Sequence, residues 1–354
     1  MTRSAAFRVA TCTAAWWATA CAATSPSAPP PEEVLLAVNS TEASLSIVPV
    51  NQPSAAVKVP LGGTSPTPVG VSALNGIALV PMGFDNSVAV VDLKTATVSR
   101  IVPLPANSGA TGSAVIDDSI GYVANPNRNT VTRVNYLTGD TASVAVGVYP
   151  QNVIYLRGKL FVLNGNLDAT FSPAGPSWLT VIDPVTNQKT TSGPDSIGLV
   201  GPGNAGFVSP GGVNDPFFYV MNTGNYFSGD GALSIINPVT GMLDVTVSGF
   251  GTGPGNLATD GGHRLFISSY TEGVMEFNTD TRSVVLGAGQ GIAIPSNSAV
   301  AVDSQSRIYA ISTGPCAGGQ PGVAHVLRPD DLTESSTITL GECPVGVLVT
   351  KIPA

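Results

Sequence analysis

The chain repeats itself. WLTVIDPVTNQ at 178–188 returns as ALSIINPVTGM at 232–242, an alternating apolar strand that runs into an Asn/Asp-Pro-x-Thr turn. Looser copies are SVAVVDLKTAT (87–97), TVTRVNYLTGD (130–140), GVMEFNTDTRS (273–283) and VAHVLRPDDLT (323–333). Upstream of each lies another recurring strand: LLAVN (35–39), IALVP (77–81), GYVAN (121–125), LFVLN (160–164), FYVMN (218–222), LFISS (265–269) and IYAIS (308–312). Taking Leu36, Leu79, Tyr122, Phe161, Tyr219, Phe266 and Tyr309 as equivalent, the intervals are 43, 43, 39, 58, 47 and 43 residues. A supersecondary unit of this period cannot bury its apolar face alone, so its copies must stack on one another.

A small-residue strand precedes these two: PVGVSA (68–73), GSAVID (112–117), QNVIYL (151–156), GNLATD (255–260) and NSAVAVD (297–303). Gly, Ser, Ala and Asn suit a strand crowded against a central axis. A polar outer strand, such as TVSRIVPL (97–104) or DVTVSG (244–249), completes a four-stranded antiparallel unit. Seven such units around an axis make an all-β, seven-bladed β-propeller. A ring must fasten its last blade to its first, or two sheet edges stay open. CPVGVLVTK (343–351) has the inner-strand pattern, whereas the first strand, LLAVN, is a second strand. The first blade is therefore expected to take its inner strand from 344–350 and the other three from 34–61. No segment after residue 33 carries a helical apolar stripe, so almost no helix is expected.

GYVAN with TVTRVNYLTG, and LFVLN with LTVIDPVTNQ, resemble the YVTN-type repeats of YncE-like propellers, and more loosely NHL-repeat propellers. The resemblance covers about 34–352 and implies architecture; proteins with such repeats serve many roles. The repeat between Phe161 and Tyr219 is enlarged, and the first blade matches poorly.

Residues 1–21, MTRSAAFRVATCTAAWWATAC, read as an address. Arg3 and Arg8 precede a short apolar core, Val9–Ala20, too short to span a bilayer as a helix. Ala18-Thr19-Ala20 suits ordinary signal cleavage. Followed by Cys21, the same residues also resemble a bacterial lipobox with Cys21 as the acylated residue, although Ala18 stands where Leu is usual. Both readings stay open, lipid-anchored or secreted, and both place the mature chain outside the cytoplasm. Residues 1–20 are then the signal peptide, 21–33 a Pro/Ser-rich tether and 34–354 the propeller. Formal net charge is −8, and −10 once Arg3 and Arg8 leave with the signal. No basic run offsets this, which argues against nucleic acid. The membrane is expected to be met through the lipid alone, by a monomer.

Cys12 leaves with the signal, and Cys316 and Cys343 remain beside Cys21. Cys316 falls in a loop between second and third strands, Cys343 in the connection to the next inner strand. Both loop types emerge on one face, so a disulfide between them is expected, locking the last blade to the closing strand.

Little in the sequence carries chemistry. His263 sits in an inner hairpin turn and His325 within a strand, on opposite sides of their repeats. HExxH, GxSxG and Walker-type motifs are absent. GPGNAG (201–206) matches GxGxxG but opens no helix and reads as turn glycines. Asp117, Asp118, Asp260 and Asp303 sit at turns after inner strands, and Asp92 and Asp183 end third strands; all read as structural. The loops between second and third strands are long at 164–178, 222–231 and 312–322. They gather Asp168, Phe171, Trp178, Tyr226, Phe227 and Asp230, aromatics and acids placed as a binding face. The expectation is a non-catalytic scaffold that binds a protein, glycan or small molecule there, with no cofactor or metal. The alternative is a propeller enzyme of lactonase or lyase type with a divalent cation, which the uncharged inner strands disfavour.

Overall fold

The structure, a computed structural model, describes residues 31–354. The expected signal peptide and the expected acylation site at Cys21 lie outside the described residues. Seven antiparallel sheets follow one another. From the axis outward, blade 1 combines Pro344–Ile352, Glu32–Asn39, Ser44–Pro49 and Val57–Pro60. Blades 2 to 7 occupy 72–103, 113–145, 150–198, 205–248, 254–286 and 297–342, each from inner to outer strand. The inner strands touch their neighbours in turn all the way round, the last meeting the first. The chain is a seven-bladed β-propeller. Among the described residues the only helical pieces are two 3₁₀ turns, Pro53–Ala55 and Pro126–Arg128.

The closing strand arrives as expected. Leu36 pairs with Leu348 on one side and Ile47 on the other, and the ladder from Glu32↔Ile352 to Asn39↔Pro344 slips once, at a bulge after Val38. The enlarged repeat is blade 4, whose outer strand is broken into Gln188–Lys189 and Ser196–Gly198, both paired to Trp178–Asp183.

The core is a ring of seven clusters, each sandwiched between consecutive blades. Val34, Leu36 and Val38 pack toward blade 2, while Leu35 and Ala37 pack toward blade 7. A strand buried on both faces reads as a continuous apolar run rather than an alternation. That is why LLAV, YVA and LFVL recur. The inner strands meet more tightly: a Cβ on Gly112 would lie 2.4 Å from Asn152 Oδ1 and 2.6 Å from Gln151 O. Side chains also tie inner strand to inner strand. Thr111 Oγ1 donates to Gln151 O at 2.8 Å, Gln151 Nε2 to Ala205 O at 3.1 Å, and Ser298 Oγ to Pro344 O at 2.8 Å.

Cys316 and Cys343 form the expected disulfide, with Cα atoms 4.5 Å apart and a sequence separation of 27. It joins the loop after Ile308–Ser312 to the entry of the closing strand. A cross-link over a loop of this size stabilises by about 3–4 kcal/mol through the unfolded chain. Cys343→Ser should lower unfolding free energy in urea by about that amount, and reductant should then have no further effect on the variant while weakening wild type. Equal sensitivity of both proteins to reductant would contradict the assignment.

Candidate functional site

The ring has two unlike faces. On one lie the hairpins from inner to second strand and the turns from third to outer strand. On the other, here the loop face, lie the second-to-third loops and the connections between blades. The first face is self-satisfied. Asp117 accepts from the Ser119 and Ile120 N–H groups, and Asp92 from those of Lys94 and Thr95. Asp303, 4% exposed, holds Arg307 Nε at 2.6 Å and Tyr309 OH at 2.8 Å. Tyr219 OH donates to Asp215 in the same way. Burial, and then the carboxylate each phenol bonds, push the Tyr219 and Tyr309 ionisations up. Tyr136, desolvated and near Asp117 and Asp118, is pushed up to about 12. His263 is exposed here, 4.0 Å from Asp280. His325 lies in the third strand of blade 7, with Nδ1 2.6 Å from Glu334. The histidines do not come together, and no group of three His, Cys, Asp or Glu forms among the described residues.

The loop face differs. Phe84, Phe171, Tyr226, Phe227 and Tyr270 all project from its second-to-third loops, with exposures from 49% to 94%. Phe171 meets Tyr149 edge-on, ring centroids 5.9 Å apart. Burial, with the Tyr226 hydroxyl nearby, raises the Tyr149 ionisation. Phe171 and Tyr149 thus form one aromatic pair over blade 4, with Tyr226 projecting from the neighbouring loop of blade 5. Phe227 stands clear of this pair into solvent, 94% exposed.

The other expected residues build the loops. Trp178 is half-buried, its six-membered ring lying where a side chain on Gly147 would be, 2.5 Å from that Cβ position. Asp168 Oδ1 accepts from Thr170 N, Thr170 Oγ1 and Ser172 N; the Thr170 hydroxyl above all holds its carboxyl below the usual range. Asp230 accepts from Asn225 N at 3.1 Å. The structure therefore pairs Phe171 with Tyr149, packs Trp178 against Gly147, and uses Asp168 and Asp230 to shape the loops.

GPGNAG is indeed a connection, and it stitches the two long loops. Asn204, 1% exposed, donates its backbone N–H to Gly165 O, its Nδ2 to Gly224 O, and accepts Gln151 Nε2. Gly203 has φ +87°, and a Cβ there would meet Gly175 O at 2.4 Å. The sequence gives Asn204, Gln151 and Tyr149 no recognisable signature. Another set was in plain view: the Asn ending LLAVN, GYVAN, LFVLN and FYVMN. Asn39 Nδ2 donates to Ser44 and Ser46 while Oδ1 accepts Gly341 N; Asn164 donates to Thr180 while Oδ1 accepts Gly147 N. Each latches its hairpin to the connection arriving from the preceding blade. Asn125 and Asn222 donate alike, but their Oδ1 atoms have no partner.

At the centre of the loop face, Gln151, Asn152, Thr111, Phe207, Ser298 and Tyr270 line a mouth of about 260 Å³. Deeper, the channel of about 370 Å³ is lined from all seven blades by aliphatic residues with Ser113, Asn152, Ser209, Asn256 and Thr259, and by no ionisable side chain. Beside the mouth, between blades 6 and 7, a notch of about 430 Å³ is walled by Tyr270, Glu272 and the Gly289–Pro295 stretch.

No protein-family model matches the chain, and no curated protein matches it in sequence. Its architecture is similar to a solved structure of Kuenenia stuttgartiensis hydrazine synthase, with TM-score 0.63, 13% identity, and coverage of 83% of this chain and 97% of that one. The likeness is one of fold.

Replacing Asn204 by Ala keeps the backbone N–H bond to Gly165 O but removes the side-chain donor to Gly224 O and leaves Gln151 Nε2 with Ala205 O alone, a loss of about 1–3 kcal/mol. Hydrogen exchange should quicken in 223–231 and in 164–178 together. Faster exchange in only one loop would show that they are not coupled through this residue.

Proposed function

We propose that the protein is an extracytoplasmic, YVTN-type β-propeller, held to the envelope by a lipid on Cys21, that binds a ligand on its loop face without catalysis. The observation that carries this reading is the one-sided display of aromatics. Five large rings are exposed in loops of one face, around a cavity, on a rigid ring. Such side chains lose apolar hydration when covered and little conformational freedom, which is why they anchor binding surfaces. The loops that bear three of them, Phe171, Tyr226 and Phe227, are pinned by Asn204, so that part of the surface is preorganised.

Three further features support it. The disulfide fits an oxidising compartment. The propeller's own chain starts at Glu32, on the face opposite the aromatics, so a tether there would leave the loop face outward. The channel lining offers no carboxylate, imidazole or thiol for the divalent cation that a lactonase-type reaction would need.

A photo-crosslinking residue at Phe227 in the full-length protein should yield adducts in intact cells. The same residue at Val185, 92% exposed on the opposite face, should not. Adducts from 185 alone would overturn the loop-face reading. Separately, labelled palmitate should enter wild type and not Cys21→Ser; equal incorporation would remove the anchor.

A further inference from the structure

Resting on that reading, the charge of the loop face names the class of ligand. Its second-to-third loops carry one acid in each of blades 1, 2, 4, 5 and 6: Glu42, Asp85, Asp168, Asp230 and Glu272. Blade 3 contributes the one base of these loops, Arg128, whose Nη1 is spent on Ala106 O. The connections between blades add no Lys or Arg. Glu42 is paired with Lys58 at 3.1 Å. The other four carboxylates are held by neutral donors: Asp85 by Thr64 and Ser65, Asp168 by Thr170 and Ser172, Asp230 by Asn225, Glu272 by Gly289. Their hydrogen bonds fix the carboxylates without neutralising them. On the opposite face acids and bases are mixed and paired, as in Arg264–Glu276 and Arg307–Asp303.

Negative potential spread between exposed aromatic rings suits a cation that also has a flat or methylene-rich body. The notch between blades 6 and 7 shows how one would sit. Tyr270 is 56% exposed on its rim. Glu272 is half-buried in its wall, with Oε2 fixed by the Gly289 N–H at 2.7 Å and Oε1 lying beside Gly251. Gly273, Gly289 and Gly291 complete the lining of this notch of about 430 Å³, and a Cβ at Gly289 alone would meet open space. An aromatic ring and a carboxylate on one notch favour a positively charged donor.

We infer that the loop face docks a cationic polypeptide segment, and that Tyr270 and Glu272 seat one of its Lys or Arg side chains. The interaction is electrostatically steered and falls with salt, because the carboxylates outside the notch act through solvent. The seat, being partly enclosed, contributes the stereospecific share.

The test uses the mature protein in detergent, titrated with hexaarginine, hexaglutamate and maltohexaose. Hexaarginine should bind, and binding should weaken about tenfold or more when NaCl rises from about 50 to 500 mM. Tyr270→Ala and Glu272→Gln should each weaken it about tenfold, with melting unchanged, and Asp330→Asn on the opposite face should leave it as in wild type. Absence of hexaarginine binding, or equal weakening by Asp330→Asn, overturns the inference. Binding of maltohexaose or hexaglutamate that Tyr270→Ala abolishes overturns the cationic partner but keeps the loop face. Binding that only opposite-face substitutions abolish overturns both.

Discussion

The pairing of Pro344–Ile352 with Glu32–Asn39 is the contact on which the whole ring leans. Each apolar cluster needs a blade on either side, and blade 1 supplies half of two of them. Without its inner strand, blade 1 would be a three-stranded sheet with an open edge facing the axis. The chain concentrates other ties at this seam. Asn39 accepts the N–H of Gly341, 302 residues away in sequence, Glu42 accepts that of Glu342, and Glu33 accepts from Ser304. Ser298 donates to Pro344 O, and the disulfide anchors the strand's entry. Closure entropy for so long a loop grows only slowly with length, so a ladder with a few polar ties and one covalent bond is enough to hold it.

A closed ring also separates the duties of its two faces. Turns between third and outer strands are short, and their Asp and Asn side chains cap them from within. The loops on the other face connect strands that are already fixed at both ends. They can lengthen without disturbing the ring, and in blades 4 and 5 they do. Once stitched by Asn204 and Gly203, they present Phe171, Tyr226 and Phe227 as a fixed surface rather than a flexible one. Rigidity of the scaffold and exposure of the rings thus come from the same architecture.

Architecture was legible in the sequence because propeller strands repeat both their pattern and their period. The runs LLAV and LFVL are apolar at every position since both faces are buried, and the Gly and Ser of the inner strands mark backbones that nearly touch. The disulfide followed from topology alone. The candidate site was legible only as a region. Exposed aromatics in long loops stand out, whereas Trp178 looks like a ligand contact until its ring is seen lying on Gly147. Asp168 and Asp230 read as acids of a binding face, and that they also cap their own loops was not visible without the backbone donors in place. Tyr149 and Asn204 carry no sequence signal, because their importance depends on which loops fold beside them. The recurrent Asn of the second strands was visible as a column, but its role needed the preceding blade's connection in place.

Native-state hydrogen exchange of individual amides tests the closure most directly. Val34, Leu36 and Val38 in blade 1, and Val347 and Val349 in the closing strand, should exchange only on global unfolding, with the same free energy and denaturant dependence as Phe161 and Val162 in blade 4. A separate, lower-energy opening confined to blade 1 would mean that the ring is merely abutted at its ends, and the account of how it holds its two faces apart would be wrong.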